Sequence, residues 1–169
     1  MGNPYRFLAV FLAVLVALFA AELTAPVQTA LVLPWTEALA RMSVAIITLF
    51  DSHAVAHGKV VESTTNGFAV SIEAGCNGIE AALILIAAIL AFRAPWKYKA
   101  AGIAGGLAAV QLLNLVRVIT LFYLGQWSFR AFEWAHLYAW QALIMLDVLI
   151  VWLLWLRWLA ADAQARAPA

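Results

Sequence analysis

The sequence predicts an all-α integral membrane protein: a polytopic bundle of about four transmembrane helices with an interfacial helix and a small extracytoplasmic β-hairpin. Three observations predict it. Of the 169 residues, 66 % are hydrophobic and 11 % charged, with a mean hydropathy of +0.94, well outside the soluble range. Long apolar runs recur at lengths that suit ~30 Å of hydrocarbon. The few charges are sorted along the chain by sign. A net charge of +1 offers no basic field for nucleic acid. One cysteine excludes an internal disulfide framework and a multi-cysteine metal site, leaving a packing residue, a reactive thiol or an intermolecular bridge.

Residues 7–21 follow Arg6 as one apolar run. Signal-peptide cleavage after Ala20 or Ala21 would put Leu18 or Phe19 where a small residue is wanted, so the run reads as a retained helix. Pro34-Trp35-Thr36-Glu37 reads as a loop and helix start, and residues 38–50 are apolar but too short to cross. They are expected to lie in the interface or on the bundle; a crossing there would invert everything downstream.

Residues 59–73 switch to a period of two, and Asn66-Gly67 between two β-prone runs is a strong hairpin signal. The hairpin leads into Glu73-Ala74-Gly75-Cys76-Asn77-Gly78-Ile79-Glu80. Three further spans are expected at residues 79–92, 100–124 and 134–156. The loop between the first two carries Arg93, Lys97 and Lys99 and no acid, which assigns it to the cytoplasm. Both termini then fall inside, with Arg6, Arg157 and Arg166, while residues 24–75 and the loop 125–133 fall outside. Trp127 and Trp134 form an outer belt and Trp96, Trp155 and Trp158 an inner one. The Ala-rich last eight residues are expected to fray.

Cys76 falls at the outer end of a helix, where the dipole and unpaired N–H groups lower a thiol's pKa. A lone membrane cysteine is also commonly a small buried hydrophobe. Arg117 is an intramembrane cation, which costs at least ~2.5–3.5 kcal/mol and marks a functional site by default. Its alternative is a structural pairing with Glu80 or Asp147. Gln111, Asn114 and Arg117 recur at intervals of three and form a polar stripe. His136 begins the last helix and is a candidate proton shuttle. His53 and His57 compete for that role, and with Asp51 they make a weak metal signal. Thiol, guanidinium and imidazole from three helices on one membrane side are the parts of a cysteine acyl-transfer site. Glu80, a turn after Cys76, is expected to orient Arg117 or His136; Asp147 reads as a buried structural partner.

At Cys76-Asn77-Gly78-Ile79, Asn114-Leu115-Val116-Arg117 and His136, in that order, the chain resembles the exosortase/archaeosortase family. These are membrane-embedded cysteine transpeptidases with Cys-x-Gly-Ile, Asn-x-x-Arg and a later His or Arg. The similarity covers roughly residues 58–156 as catalytic core, with 1–57 as N-terminal helix and interfacial segment and 157–169 as cytoplasmic tail. Asn77 stands where many members have Ser, and the small size is closer to the short branch called exosortase H. The resemblance implies Cys76, Arg117 and His136 as catalytic residues, supported by Asn114, Glu80 and Asn77, with no cofactor and no metal. It implies cleavage of C-terminal sorting signals (PEP-CTERM-like: motif, apolar helix, basic tail) on exported proteins. It also implies transfer to a lipid or glycan acceptor at the outer face of a bacterial inner membrane. The tag helix is then expected beside the helices 100–124 and 134–156, with Gly102, Gly105 and Gly106 allowing close approach. Two other classes compete: a non-enzymatic assembly or scaffold subunit locked by an Arg117 ion pair, and a small transporter subunit using Arg117, Gln111 and Asp147 as a polar path.

Overall fold

A computed structural model describes residues 4–165. The order is α1 Pro4–Glu22, α2 Ala25–Ile47, strands β1 Ala54–His57, β2 Val60–Ser63 and β3 Ala69–Ser71, then α3 Ile79–Ala91, α4 Trp96–Trp127 and α5 Phe129–Ala165. Arg166 and the last residues of the expected tail lie outside the described residues. Residues 162–165, the described part of the stretch expected to fray, are helical.

Four of the described helices, α1, α2, α4 and α5, are long and apolar enough to cross a membrane. The protein is thus a polytopic helical membrane protein, but the set of long helices differs from the expected one. Helix α3, expected to cross, has 13 residues, about 20 Å at ~1.5 Å per residue. Helix α2, expected as a short segment, runs for 23 residues. Pro34 has no N–H to continue an α-helical ladder, which is why a loop is expected there. A π-helical turn at Gln28–Val32 precedes Leu33, and the proline falls in the first turn of the α-helical stretch that follows. The expected outer loop 125–133 likewise shrinks to a break at Ser128, whose hydroxyl accepts from Ala131 N at 3.4 Å and starts α5.

Two apolar clusters divide the molecule lengthwise. Leu39, Ala40 and Ile47 of α2 pack with Ala54, Val61 and Ile72 of the sheet region and with Val118 and Phe122 near the end of α4. Helix α2 therefore covers the sheet. The second cluster, built on Leu85, Ile89, Val110, Ile144, Val148 and Trp155, joins α3, α4 and α5. Leu112, Val116, Leu149 and Leu153 remain exposed on the helices, the surface that lipid covers. At the end away from the sheet, Arg6 and Phe7 of α1 share a cavity of about 720 Å³ with Arg93 and Lys99, so the start of α1 lies beside the exit of α3.

Trp155, expected in a belt, is buried and donates to the Tyr98 carbonyl at 2.8 Å. A Cβ on Gly102 would lie 2.4 Å from its indole, and one on Gly106 2.4 Å from Leu85. Those glycines serve packing within the chain; Gly105 alone of the three faces open space.

The sheet has three antiparallel strands in the order β1-β2-β3. The Asn66-Gly67 turn is as expected: Gly67 has φ +71° and donates to Ser63 O at 2.9 Å. Strand β1 was not foreseen; it pairs His57 with Val60 through Gly58 at φ +58°.

Candidate active site

The segment from β3 to α3 carries the cysteine and is pinned from three sides. Gly78, with φ +74°, is the N-cap of α3, so Cys76 stands two residues ahead of the cap and outside the first turn. Asn77 turns inward: its Oδ1 accepts from Ile79 N at 3.0 Å and its Nδ2 donates to Thr36 Oγ1 at 3.3 Å. Trp35 Nε1 donates to the Asn77 carbonyl at 3.3 Å. Helix α2 therefore holds the loop, a role that no local pattern announces, because Trp35 and Thr36 lie about forty residues upstream. Behind Gly78 stands Gln111, whose amide would lie 2.9–3.0 Å from a Cβ there.

Gly75, with φ +81°, is gripped at both ends of its backbone. Its N–H donates to Glu80 Oε1 at 2.6 Å, and its carbonyl accepts from Arg117 Nη1 at 3.1 Å. Arg117 Nη2 meanwhile points at Cys76 Sγ, 3.5 Å away. Glu80 thus orients the cysteine loop and does not orient Arg117 or His136, contrary to expectation. Among the described residues Arg117 forms no ion pair, and Asp147 Oδ2 is buried without a hydrogen-bond partner. The pairing of Arg117 with Glu80 or Asp147, on which the scaffold reading rested, is not formed.

His136 Nε2 lies 3.9 Å from Cys76 Sγ. The ring stacks flat on Phe132, with centroids 5.6 Å apart and planes 1° from parallel. Phe132 precedes His136 by four residues, the spacing that puts two side chains on one helix face. His53 and His57 are exposed and flank or belong to β1, the strand farthest from β3, and neither contributes to the cavity at Cys76. No group of three His, Cys, Asp or Glu side chains among the described residues is arranged to hold a metal. Asn114 is fully buried, and neither atom of its amide has a hydrogen-bond partner. It lies a turn below Arg117 and does not bond Cys76.

Burial pushes the Cys76 thiol above its ordinary value; the Arg117 charge opposes this, and Glu80 and Glu73 add to it. The expected lowering by the helix terminus fails for a geometric reason. Cys76 precedes the cap, and Asn77 has already taken the Ile79 N–H. The resting group is a thiol, and attack requires a base beside it.

Cys76, Arg117 and His136 face a cavity of about 150 Å³, walled by Ala69–Glu73 on one side and by Val118, Leu121 and Phe132 on the other. A thiol, a doubly engaged guanidinium and an imidazole around one small cavity form the set that acyl transfer to sulfur uses. Together they make a thiol site on a polytopic membrane fold. The description "Transmembrane exosortase (Exosortase_EpsH)" belongs to the family model that matches residues 4–155. The chain belongs to this family of membrane transpeptidases. The match begins well ahead of residue 58, where the resemblance was expected to start, and takes in α1 and α2. No curated protein and no solved structure matches the chain.

Proposed function

We propose that this protein is a cysteine transpeptidase that cleaves C-terminal sorting signals of exported proteins and passes the new C-terminus to a lipid or glycan acceptor. The observation that carries the reading is the convergence of Arg117 Nη2 and His136 Nε2 on Cys76 Sγ, at 3.5 and 3.9 Å. His136 takes the thiol proton as Sγ bonds to the scissile carbonyl carbon. Arg117, already anchored on the Gly75 carbonyl, stabilises the oxyanion. As the C–N bond breaks, His136 returns the proton to the leaving amine, and a thioester remains on Cys76. An acceptor hydroxyl or amine, or water, then attacks the thioester carbon and releases the thiol. Phe132 keeps the imidazole plane aimed at sulfur through both transfers.

The orientation follows from charge. Arg93, Lys97 and Lys99 cluster at the end opposite the sheet, and Arg6 joins Arg93 and Lys99 at one cavity. The positive-inside rule puts that end in the cytoplasm of a bacterial inner membrane and Cys76 at the outer face. The tag helix lies against lipid-exposed surface of α4 and α5, with its cleavage motif at the cavity.

The test is a Cys76→Ala variant expressed beside a reporter that ends in the motif, apolar helix and basic tail of an exported protein from the same genome. The reporter is expected to stay full length while the variant remains in the membrane. Processing at the wild-type rate overturns the nucleophile assignment.

A further inference from the structure

We infer that β3 is a docking strand: the extended segment of the polypeptide substrate that runs into the cleavage site adds to its free edge as a fourth strand. This rests on the cleavage reading above and names how the substrate is held.

Strand β3 ends the sheet, with β2 on one side only. The register fixes which backbone groups are free. Phe68 O accepts from Ser63 N, Val70 lies opposite Val61, and Ile72 N donates to Lys59 O. In an antiparallel ladder, alternate residues turn their N–H and C=O toward the same neighbour. Phe68, Val70 and Ile72 therefore bond to β2 or the residues flanking it, while Ala69 and Ser71 turn theirs outward. No backbone bond to either of these two comes from elsewhere among the described residues.

That edge faces the reactive site. Five consecutive residues, Ala69–Glu73, wall the cavity that holds Cys76, Arg117 and His136. Side chains of a strand alternate between faces, so an unbroken run of lining residues means that the cavity abuts the strand's backbone edge. The edge also lacks the usual protection: Ala69 and Ser71 are small and exposed, and neither a proline nor an outward lysine guards it. An exposed row of N–H and C=O groups is a template for a further strand, and an added strand pairs with it.

The occupant is defined by the same geometry. Pairing with Ala69 and Ser71 requires an extended, non-helical peptide with free amides at every second position. The wall of Val118, Leu121 and Phe132 selects small or apolar side chains at alternate positions of that peptide. The apolar helix of the tag begins only after this stretch.

The test uses the full-length protein and the tagged reporter. Ala69→Pro and Ser71→Pro each remove one outward N–H and leave the bonds to β2, a position where an edge strand accepts proline. Each is expected to slow processing about tenfold, the effect of one ordinary hydrogen bond, with the Cys76 alkylation rate by N-ethylmaleimide unchanged. Wild-type processing by both variants overturns the inference. If either variant loses alkylation, the wild-type enzyme is given synthetic copies of the reporter tail N-methylated at successive amides before the scissile bond. Strand addition predicts that cleavage slows at alternate positions, and the absence of a two-residue period rejects it. Cleavage by wild type but not by Cys76→Ala, without that period, sinks the docking strand alone.

Discussion

Arg117 grips the cysteine loop twice, donating Nη2 to the Cys76 sulfur at 3.5 Å and Nη1 to the carbonyl of the preceding Gly75 at 3.1 Å. A guanidinium can hold a backbone oxygen with one arm and face a reaction centre with the other because its donors form a rigid fork. Arg117 is 2 % exposed, so its charge acts at low dielectric, where, on the proposed mechanism, an oxyanion would gain far more from it than in water.

Arg117→Lys keeps the charge and loses the fork. Reporter processing is expected to fall by about 10²–10³-fold, the range for losing an oxyanion donor. The thermal midpoint of the detergent-solubilised protein should stay near wild type. A large drop in that midpoint, with activity falling only in step with the folded fraction, would support a structural lock.

Glu80 holds the Gly75 N–H, and on the proposed mechanism it is a positioning residue that acts through that bond. Glu80→Ala leaves the Gly75 N–H without an acceptor, and processing is expected to slow about tenfold. Glu80→Gln retains an acceptor oxygen and should recover most of the rate. Equal losses in both variants would mean that the charge matters and the hydrogen bond does not.

The pH dependence follows from the buried thiol. With its pKa above the ordinary range, the thiolate is scarce at neutral pH, so the rate of Cys76 alkylation by iodoacetamide rises with pH and shows no plateau near pH ~7. The Arg117 charge lowers that pKa, so Arg117→Gln should move the rising limb to higher pH. A wild-type rate already flat above neutral pH would indicate a preformed thiolate and contradict the burial argument.

Gly78 and Gly67 both hold left-handed backbone, at φ +74° and +71°, but only Gly78 has a neighbour, the Gln111 amide. Gly67→Ala is expected to cost about 1 kcal/mol of strain. Gly78→Ala adds a clash inside the buried loop, and its unfolding temperature should fall clearly further. Equal shifts would show that Gln111 yields freely.

The three side chains that meet at the cavity were legible as candidates: a cysteine between glycines, a buried cation, and an imidazole at a helix start. The hairpin was legible from Asn66-Gly67. The cradle around Cys76 was not, because Trp35, Thr36 and Gly75 act through contacts distant in sequence or through backbone atoms. Helix α2 was underestimated because Pro34 reads as a loop, and the π-turn that leads the chain into the α-helical stretch holding that proline leaves no periodic signal. Trp155 was misassigned for a related reason: a tryptophan near a helix end reads as interfacial until Gly102 opposite it is seen to receive the ring.

The central claim is that the sulfur of Cys76 carries the cleaved substrate. The direct measurement is acid-quench mass spectrometry of the wild-type protein mixed with the tagged reporter in acceptor-free detergent, followed by mapping of the modified peptide. The account predicts a hydroxylamine-labile adduct on the peptide containing Cys76, with the mass of the reporter up to its cleavage point and lost in Cys76→Ala. Continued cleavage with no adduct on Cys76, or with one on another residue, would contradict it.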